Sequence, residues 1–234
     1  MSNKGVFTFL ICVSVFANGL LGQGSTKVSE NVNSRYLEDQ FYTGVSYNFL
    51  TNLGDAVLRN LSYNIEFGYI RDIPINQNRN FGFGLGVGYA ANSYYSDIIA
   101  EDSSGNITYR LSVSSDDLKR SKFETHGITI PFEIRWRTSN ATDYKFWRIY
   151  TGVKAEYLFT RRSKFISGSQ DNSFKNDDIS NWQYGVTLNF GYNTWNVHLY
   201  YSLNPLLEDS AVLSDNNERI RITPLRVGII FYIL

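Results

Sequence analysis

Residues 79–89 read Arg79-Asn80-Phe81-Gly82-Phe83-Gly84-Leu85-Gly86-Val87-Gly88-Tyr89. Large apolar side chains occupy every second position from Phe81 to Tyr89, and glycine fills the positions between. A period of two marks an extended strand, whose successive side chains leave on opposite faces. One face of this strand is broad and apolar; the other carries no side chains. Glycine weakens a strand interior, so such a run needs a physical cause. A narrow closed barrel supplies one, because the inward face of its wall has little room. The run is not a dinucleotide-binding loop. That motif opens a helix after a strand, whereas here the two-residue period continues throughout.

The same alternation recurs on both sides, giving eight strands predicted at 41–50, 61–69, 81–89, 127–136, 147–157, 182–192, 195–202 and 225–233. In the first, Phe41, Thr43, Val45, Tyr47 and Phe49 share one face and Tyr42, Gly44, Ser46 and Asn48 the other. In the sixth, Trp182, Tyr184, Val186, Leu188, Phe190 and Tyr192 oppose Gln183, Gly185, Thr187, Asn189 and Gly191. Of the 18 glycines, 11 fall inside these strands, all on the polar face. Ile107, Tyr109, Leu111 and Val113 also alternate, inside the long third connection. A single added strand would break an even count, so this stretch reads as an external extension; ten strands remain an alternative.

Two barrels fit such a pattern. A soluble, lipocalin-like barrel turns its apolar face inward, and a membrane barrel turns it outward. Four observations favour the membrane form. Residues 1–22 have a positive start at Lys4, an apolar run from Val6 to Ala17 and small residues at Gly19 and Gly22, the layout of a secretory signal peptide. Cleavage after Ala17-Asn18-Gly19 or before Gln23 fits; the run is short for a membrane anchor. Connections after the third, fifth and seventh strands are long and those after even strands shorter, Asn193-Thr194 being near-minimal, as in outer-membrane barrels with short periplasmic turns and long external loops. Aromatics gather at both strand ends: Trp136, Trp147, Tyr192, Trp195, Phe81 and Phe231 at one, Tyr47, Phe49, Tyr63, Tyr89, Tyr157, Trp182 and Tyr201 at the other. Amphipathic rings collect at the two lipid–water boundaries. The C-terminal run Arg226-Val227-Gly228-Ile229-Ile230-Phe231-Tyr232-Ile233 is similar to the terminal-strand signal read by the barrel-assembly machinery, although Leu234 replaces the usual final Phe.

The expected fold is therefore all-β: an eight-stranded, antiparallel, up-and-down transmembrane β-barrel over 41–234, preceded by a signal peptide at 1–22 and a periplasmic segment at 23–40. Composition agrees and excludes other classes. The 234 residues are 43% hydrophobic, 16% aromatic and 19% charged, with a formal net charge of +0. A nucleic-acid binder would carry a basic excess. No apolar run after the leader is long enough for a spanning helix. Cys12, the one cysteine, lies in the leader, so the mature chain offers neither a disulfide nor a reactive thiol.

By strand parity Glu66, Glu133, Arg135, Arg148, Lys154, Glu156 and Arg226 point inward. Buried charges must pair, so these seven predict a salt-bridged, structural plug rather than an open pore. His126, near the outer rim, and His198, a hydrogen-bonding residue of the lumen, show no metal spacing. Small barrels that act as proteases or acyltransferases need an acidic–His or Ser–His site at the outer edge, and none can be assembled here. No catalytic residue, cofactor, metal site, nucleic-acid partner or small-molecule substrate is expected.

Four segments carry a family likeness: residues 79–89; Ile130-Pro131-Phe132-Glu133-Ile134-Arg135-Trp136-Arg137; Tyr144-Lys145-Phe146-Trp147-Arg148-Ile149-Tyr150-Thr151-Gly152; and Gly191-Tyr192-Asn193-Thr194-Trp195-Asn196. Together they resemble the PorT family of outer-membrane barrels, called SprT in gliding bacteria, over about Tyr36 to Leu234. The glycine-alternating strand is common to many barrels; the Tyr144–Gly152 run and the Tyr192–Asn196 hairpin are more specific. The resemblance implies an accessory, non-enzymatic scaffold of type IX protein secretion, exporting surface proteins and gliding adhesins. It also implies a larger partner, either a translocon or the barrel-assembly machinery, and no catalytic residue. The alternative is a stand-alone surface or ligand-binding barrel working through its external loops.

Overall fold

The computed structural model describes residues 40–52, 54, 56, 57, 60–113, 116–138, 146–168 and 170–233. The expected signal peptide and nearly all of the expected periplasmic segment lie outside the described residues. Among the described residues eleven strands follow one another: β1 (Gln40–Thr51), β2 (Tyr63–Pro74), β3 (Phe81–Ser96), β4 (Ile98–Ser103), β5 (Asn106–Leu111), β6 (Leu118–Arg137), β7 (Trp147–Ser167), β8 (Gln170–Lys175), β9 (Trp182–Tyr192), β10 (Trp195–Ser202) and β11 (Thr223–Ile233). Eight of them pair antiparallel in the closed order β1-β2-β3-β6-β7-β9-β10-β11, and β1 returns to β11 from Phe41↔Ile233 to Thr51↔Thr223. The three remaining strands stand outside the ring. β4 and β5 form a hairpin where the Ile107–Val113 alternation predicted an external extension, and β8 adds to the upper part of β7.

Parity assigns the faces. Along β9 the burial alternates without a break, Trp182, Tyr184, Val186, Leu188, Phe190 and Tyr192 outside and Gln183, Thr187 and Asn189 inside. The outward apolar side chains are largely exposed, Phe41 at 62% and Val45 at 57%. A wall this apolar needs lipid against it. The inward glycines admit neighbouring side chains. A Cβ on Gly68 would lie 2.6 Å from the Tyr42 ring, and one on Gly84 would lie 2.6 Å from Arg135 Nε.

One end of the barrel carries the connections 75–80, 138–146 and 193–194. Asn193, at φ 55, turns the tightest of them, between paired Tyr192 and Trp195. The longer connections after β1, β3, β7 and β10 gather at the other end, which is external by the rule for outer-membrane barrels. The sequence pattern placed the strand cores correctly but cut several short. β6 has 20 residues and β7 has 21, whereas about 9–11 tilted residues cross a bilayer. Their outer halves, with the end of β3 and with β8, stand above the lipid as a four-stranded extension. A register shift between His126 and Gly127 marks where it begins.

Two apolar clusters are buried. A small one, Tyr42, Ile70, Tyr150, Ile230 and Tyr232, lies in the periplasmic half of the lumen. The larger lies outside the membrane and draws on every external connection. It includes Leu50 at the outer end of β1, Ala56 from the first connection, Ile98 and Tyr109 from the second, Ile179 from the third and Leu206, Leu213 and Ile222 from the fourth. Backbone bonds lock these segments together, with Leu206 N–H donating to Ile222 O at 2.8 Å, Ser180 N–H to Leu206 O at 3.0 Å and Ser214 N–H to Tyr109 O at 2.8 Å. The long connections therefore form a packed cap over the outer mouth.

Candidate functional site

The lumen between cap and periplasmic turns holds four carboxylates (Glu66, Asp72, Glu133 and Glu156), five cations (Arg135, Arg137, Arg148, Lys154 and Arg226) and His198, all buried. Such groups are stable out of water only with charge partners and filled hydrogen bonds. They are arranged in two tiers.

In the lower tier Arg135, from β6, crosses the lumen. Its Nε donates to Glu133 at 3.0 Å, and one terminal nitrogen reaches both Asp72 of β2 and Gln40 Oε1 of β1 at 3.2 Å. The guanidinium carbon lies 4.5 Å from the centre of the Tyr150 ring. Arg137 donates to Asp72 at 2.8 Å and to the Arg79 carbonyl at 2.7 Å. Asn189 Nδ2 donates to Glu133 at 3.1 Å.

In the upper tier Lys154 of β7 meets Glu66 of β2 at 2.7 Å, across the barrel axis. Arg226 of β11 meets Glu156 of β7 at 3.0 Å, donates to Tyr94 Oη at 3.2 Å and lies over the Tyr200 ring at 4.3 Å. Asn92 Nδ2 donates to Glu156 at 2.9 Å. His198 Nδ1 stands 2.5 Å from Asn189 Oδ1, and its Nε2 faces Glu66 Oε1 at 3.6 Å.

The structure places all seven charges singled out from the sequence in this lumen and pairs six of them. Arg148 corrects the expectation that every charge pairs. No described residue gives it a carboxylate, and its Nε and one terminal nitrogen are buried without a hydrogen-bond partner. It stacks 4.6 Å from the Phe146 ring and 5.7 Å from the Tyr232 ring instead. Asp72 and Arg137 were missed because each lies just past the predicted end of its strand. The signal was present, since Asp72 continues the inward parity of Gly68 and Ile70, and Arg137 that of Glu133 and Arg135.

Outside the barrel, Tyr109 joins the second and third connections. Its hydroxyl donates to Asp178 at 3.0 Å and accepts from Asn176 Nδ2 at 2.9 Å. Burial pushes this phenol well above its usual range. At the base of the β4–β5 hairpin, the Arg110 guanidinium donates to Asp116 at 2.7 Å and holds that carboxyl below the usual carboxylate range. Among the described residues no group of three His, Cys, Asp or Glu is placed to hold a metal ion.

The wall is closed and eight-stranded, apolar outside and ion-paired inside. Residues 22–208 match the family described as an outer membrane protein beta-barrel domain. The chain belongs to this family. Membership places the barrel in the outer membrane, where its exposed wall meets lipid. No curated protein matches the sequence. The solved structures similar to it include two of one protein. Ail, the attachment invasion locus protein of Yersinia pestis, is 12% identical, covering 83% of this chain and 97% of that chain at a TM-score of 0.38. Ail in complex with the heparin analogue sucrose octasulfate is also 12% identical, with 84% and 99% covered and a TM-score of 0.33.

Proposed function

We propose that this outer-membrane barrel is a non-enzymatic scaffold that holds a larger outer-membrane assembly through its outer surfaces, as an accessory component of type IX protein secretion. The observation that carries the scaffold is the double closure of the barrel. Its lumen is filled by ion-paired side chains, and its outer mouth is covered by an apolar cap. A barrel with no bore has its wall and its cap left for work. The seven lumen charges are structural in this reading: they hold the strands in register and keep the interior closed. The secretion role rests on the resemblance to the PorT family. Its partner is a larger outer-membrane protein, either the translocon or the assembly machinery that builds it.

Deleting the gene and comparing the secretomes of mutant and parent tests the secretion role. Loss of exported proteins with type IX sorting domains is expected, and normal export would sink it. Pull-down in mild detergent followed by mass spectrometry tests the scaffold role, with a stoichiometric outer-membrane partner as the expected result. One observation favours the alternative of a stand-alone surface barrel: the external connections are packed into a shaped cap instead of trailing as polar loops. If excising the β4–β5 hairpin abolished binding to an external ligand while secretion continued, the stand-alone reading would replace the scaffold.

A further inference from the structure

Arg148 is buried in the lower tier of the lumen and draws on no carboxylate among the described residues. The two acids of that tier are already engaged. Asp72 takes Arg135 on one oxygen and Arg137 on the other. Glu133 takes Arg135 on one oxygen and Asn189 on the other. The described residues thus set three buried guanidinium groups, Arg135, Arg137 and Arg148, against two buried carboxylates. Strand register sharpens the surplus. Arg148 of β7 lies directly opposite Arg137 of β6, and both point inward. Like charges facing each other across paired strands repel.

The unpartnered atoms around Arg148 agree in kind. Its Nε and one terminal nitrogen, a terminal nitrogen of Arg135 and the Tyr150 hydroxyl are all buried without a hydrogen-bond partner. The three nitrogens can only donate, and the hydroxyl is free to donate. These groups share one locality. The guanidinium carbons of Arg135 and Arg148 lie 4.5 and 6.0 Å from the Tyr150 ring centre, and 5.5 and 5.7 Å from that of Tyr232. Water would fill the hydrogen bonds but leave the charge uncompensated, and a buried uncompensated charge is costly. The same surplus excludes a cation. Guanidinium groups match the oxygens of carboxylate and phosphate. Arg148 is the second residue of β7, at the periplasmic end of the wall.

We propose that Arg148, Arg135 and Tyr150 bind one small oxyanion, which enters from the periplasm and completes the lower tier. The ion supplies the negative charge that the described residues of this tier lack, and it relieves the repulsion between Arg148 and Arg137. It is held and not passed, so the lumen stays closed. This rests on the filled barrel and not on any secretion role.

The test uses the full barrel folded in an uncharged maltoside detergent, which brings no phosphate or carboxylate of its own. Sodium phosphate or sodium acetate replaces sodium chloride at constant ionic strength. Calorimetric titration reads binding, and the urea unfolding midpoint reads stabilisation, because an ion held only by the folded barrel raises that midpoint. The wild type is expected to give saturable heat and a midpoint that climbs with the ion. Whichever ion saturates it at the lower concentration is the class that the site selects. Arg148→Met keeps the length of the side chain and removes the charge. Its affinity for either ion should fall by about tenfold or more, the worth of one hydrogen bond to a charged group, and its midpoint should no longer respond. Without oxyanion it should be at least as stable as the wild type, since the unpaired buried charge is gone. Absence of saturable heat in the wild type with both ions overturns the proposal and needs no variant to fold. A midpoint that rises equally in the wild type and Arg148→Met also overturns it, as does an Arg148→Met barrel that is less stable than the wild type by the same margin in every buffer, the result expected if Arg148 serves only to stack on its aromatic neighbours.

Discussion

Glu156 is the place to test whether the lumen is held by charge pairing or merely by filled volume. Its two oxygens are occupied, one by Arg226 at 3.0 Å and the other by Asn92 at 2.9 Å. Both members of the ion pair are buried, and Arg226 already has two guanidinium nitrogens without hydrogen-bond partners. Glu156→Gln keeps the shape and removes the charge, stranding a buried guanidinium. Breaking a buried pair in this way costs about 3–5 kcal/mol. With ~1–3 kcal/mol per molar for small proteins in urea, the unfolding midpoint should fall by about 1–5 M. Removing both charges as Glu156→Leu/Arg226→Met should recover most of that loss, because a well-packed apolar pair is often neutral or better. The assay is urea titration of protein folded into lipid vesicles, read by the fraction that migrates as the compact form on an unboiled gel. A midpoint for Glu156→Gln within the error of the wild type would refute the reasoning. So would a double variant less stable than the single one.

Four further outcomes are expected. Gly84→Ala puts a Cβ 2.6 Å from Arg135 Nε and 3.1 Å from Ile70, so it should cost about 1–3 kcal/mol in the same titration. Leu206→Ala empties a site buried in the cap and should cost the cap about 2–5 kcal/mol, seen as faster proteolysis of the external connections while the barrel stays heat-modifiable. In planar bilayers the wild type should show no open-channel steps, and steady conductance would contradict the filled lumen. The Arg110–Asp116 pair should hold the base of the β4–β5 hairpin only while Asp116 is ionised. Its folded pKa is depressed, so the contribution is complete above the ordinary carboxylate range near about pH 4 and is lost as the pH falls through the lower, folded value. Protease susceptibility of the hairpin should rise at acid pH in the wild type and already be high at neutral pH in Asp116→Asn.

The wall was legible in the sequence because a transmembrane strand has two solvents. Phe81 to Tyr89 alternates since lipid lies on one side and a crowded interior on the other, and the rule holds residue by residue. Parity also identified the inward charges without any knowledge of their partners. It could not foresee that Arg148 stacks on Phe146 and Tyr232, because neighbours across the lumen are set by stagger between distant strands. The outer reaches of β3, β6 and β7 were missed for a different reason. Above the lipid both faces are mixed, Lys122 and Glu124 outside and Phe123 within the cap, so the hydrophobic contrast fades while pairing continues. β8, from Gln170 to Lys175, has no apolar period, and its pairing with β7 comes from context alone. The cap was least visible. Leu206, Leu207, Ala211 and Leu213 are scattered through a long connection, and nothing local says that they meet Ile98 and Ile179.

The ion pairs of the upper tier join strands that are not neighbours in the wall. Arg226 sits on the last strand and Glu156 on β7; Lys154 sits on β7 and Glu66 on β2. An open sheet can form all its neighbouring ladders and still make none of these contacts. They appear only when β11 meets β1, the most sequence-distant pairing in the chain. Until then each charge must stay hydrated, so a partly assembled barrel is a wet, unlatched sheet. Closure of the seam expels that water and engages both cross-lumen pairs together. The network thus acts as a latch that makes the final step of assembly steep, and a chain lacking its last strand has nothing to latch.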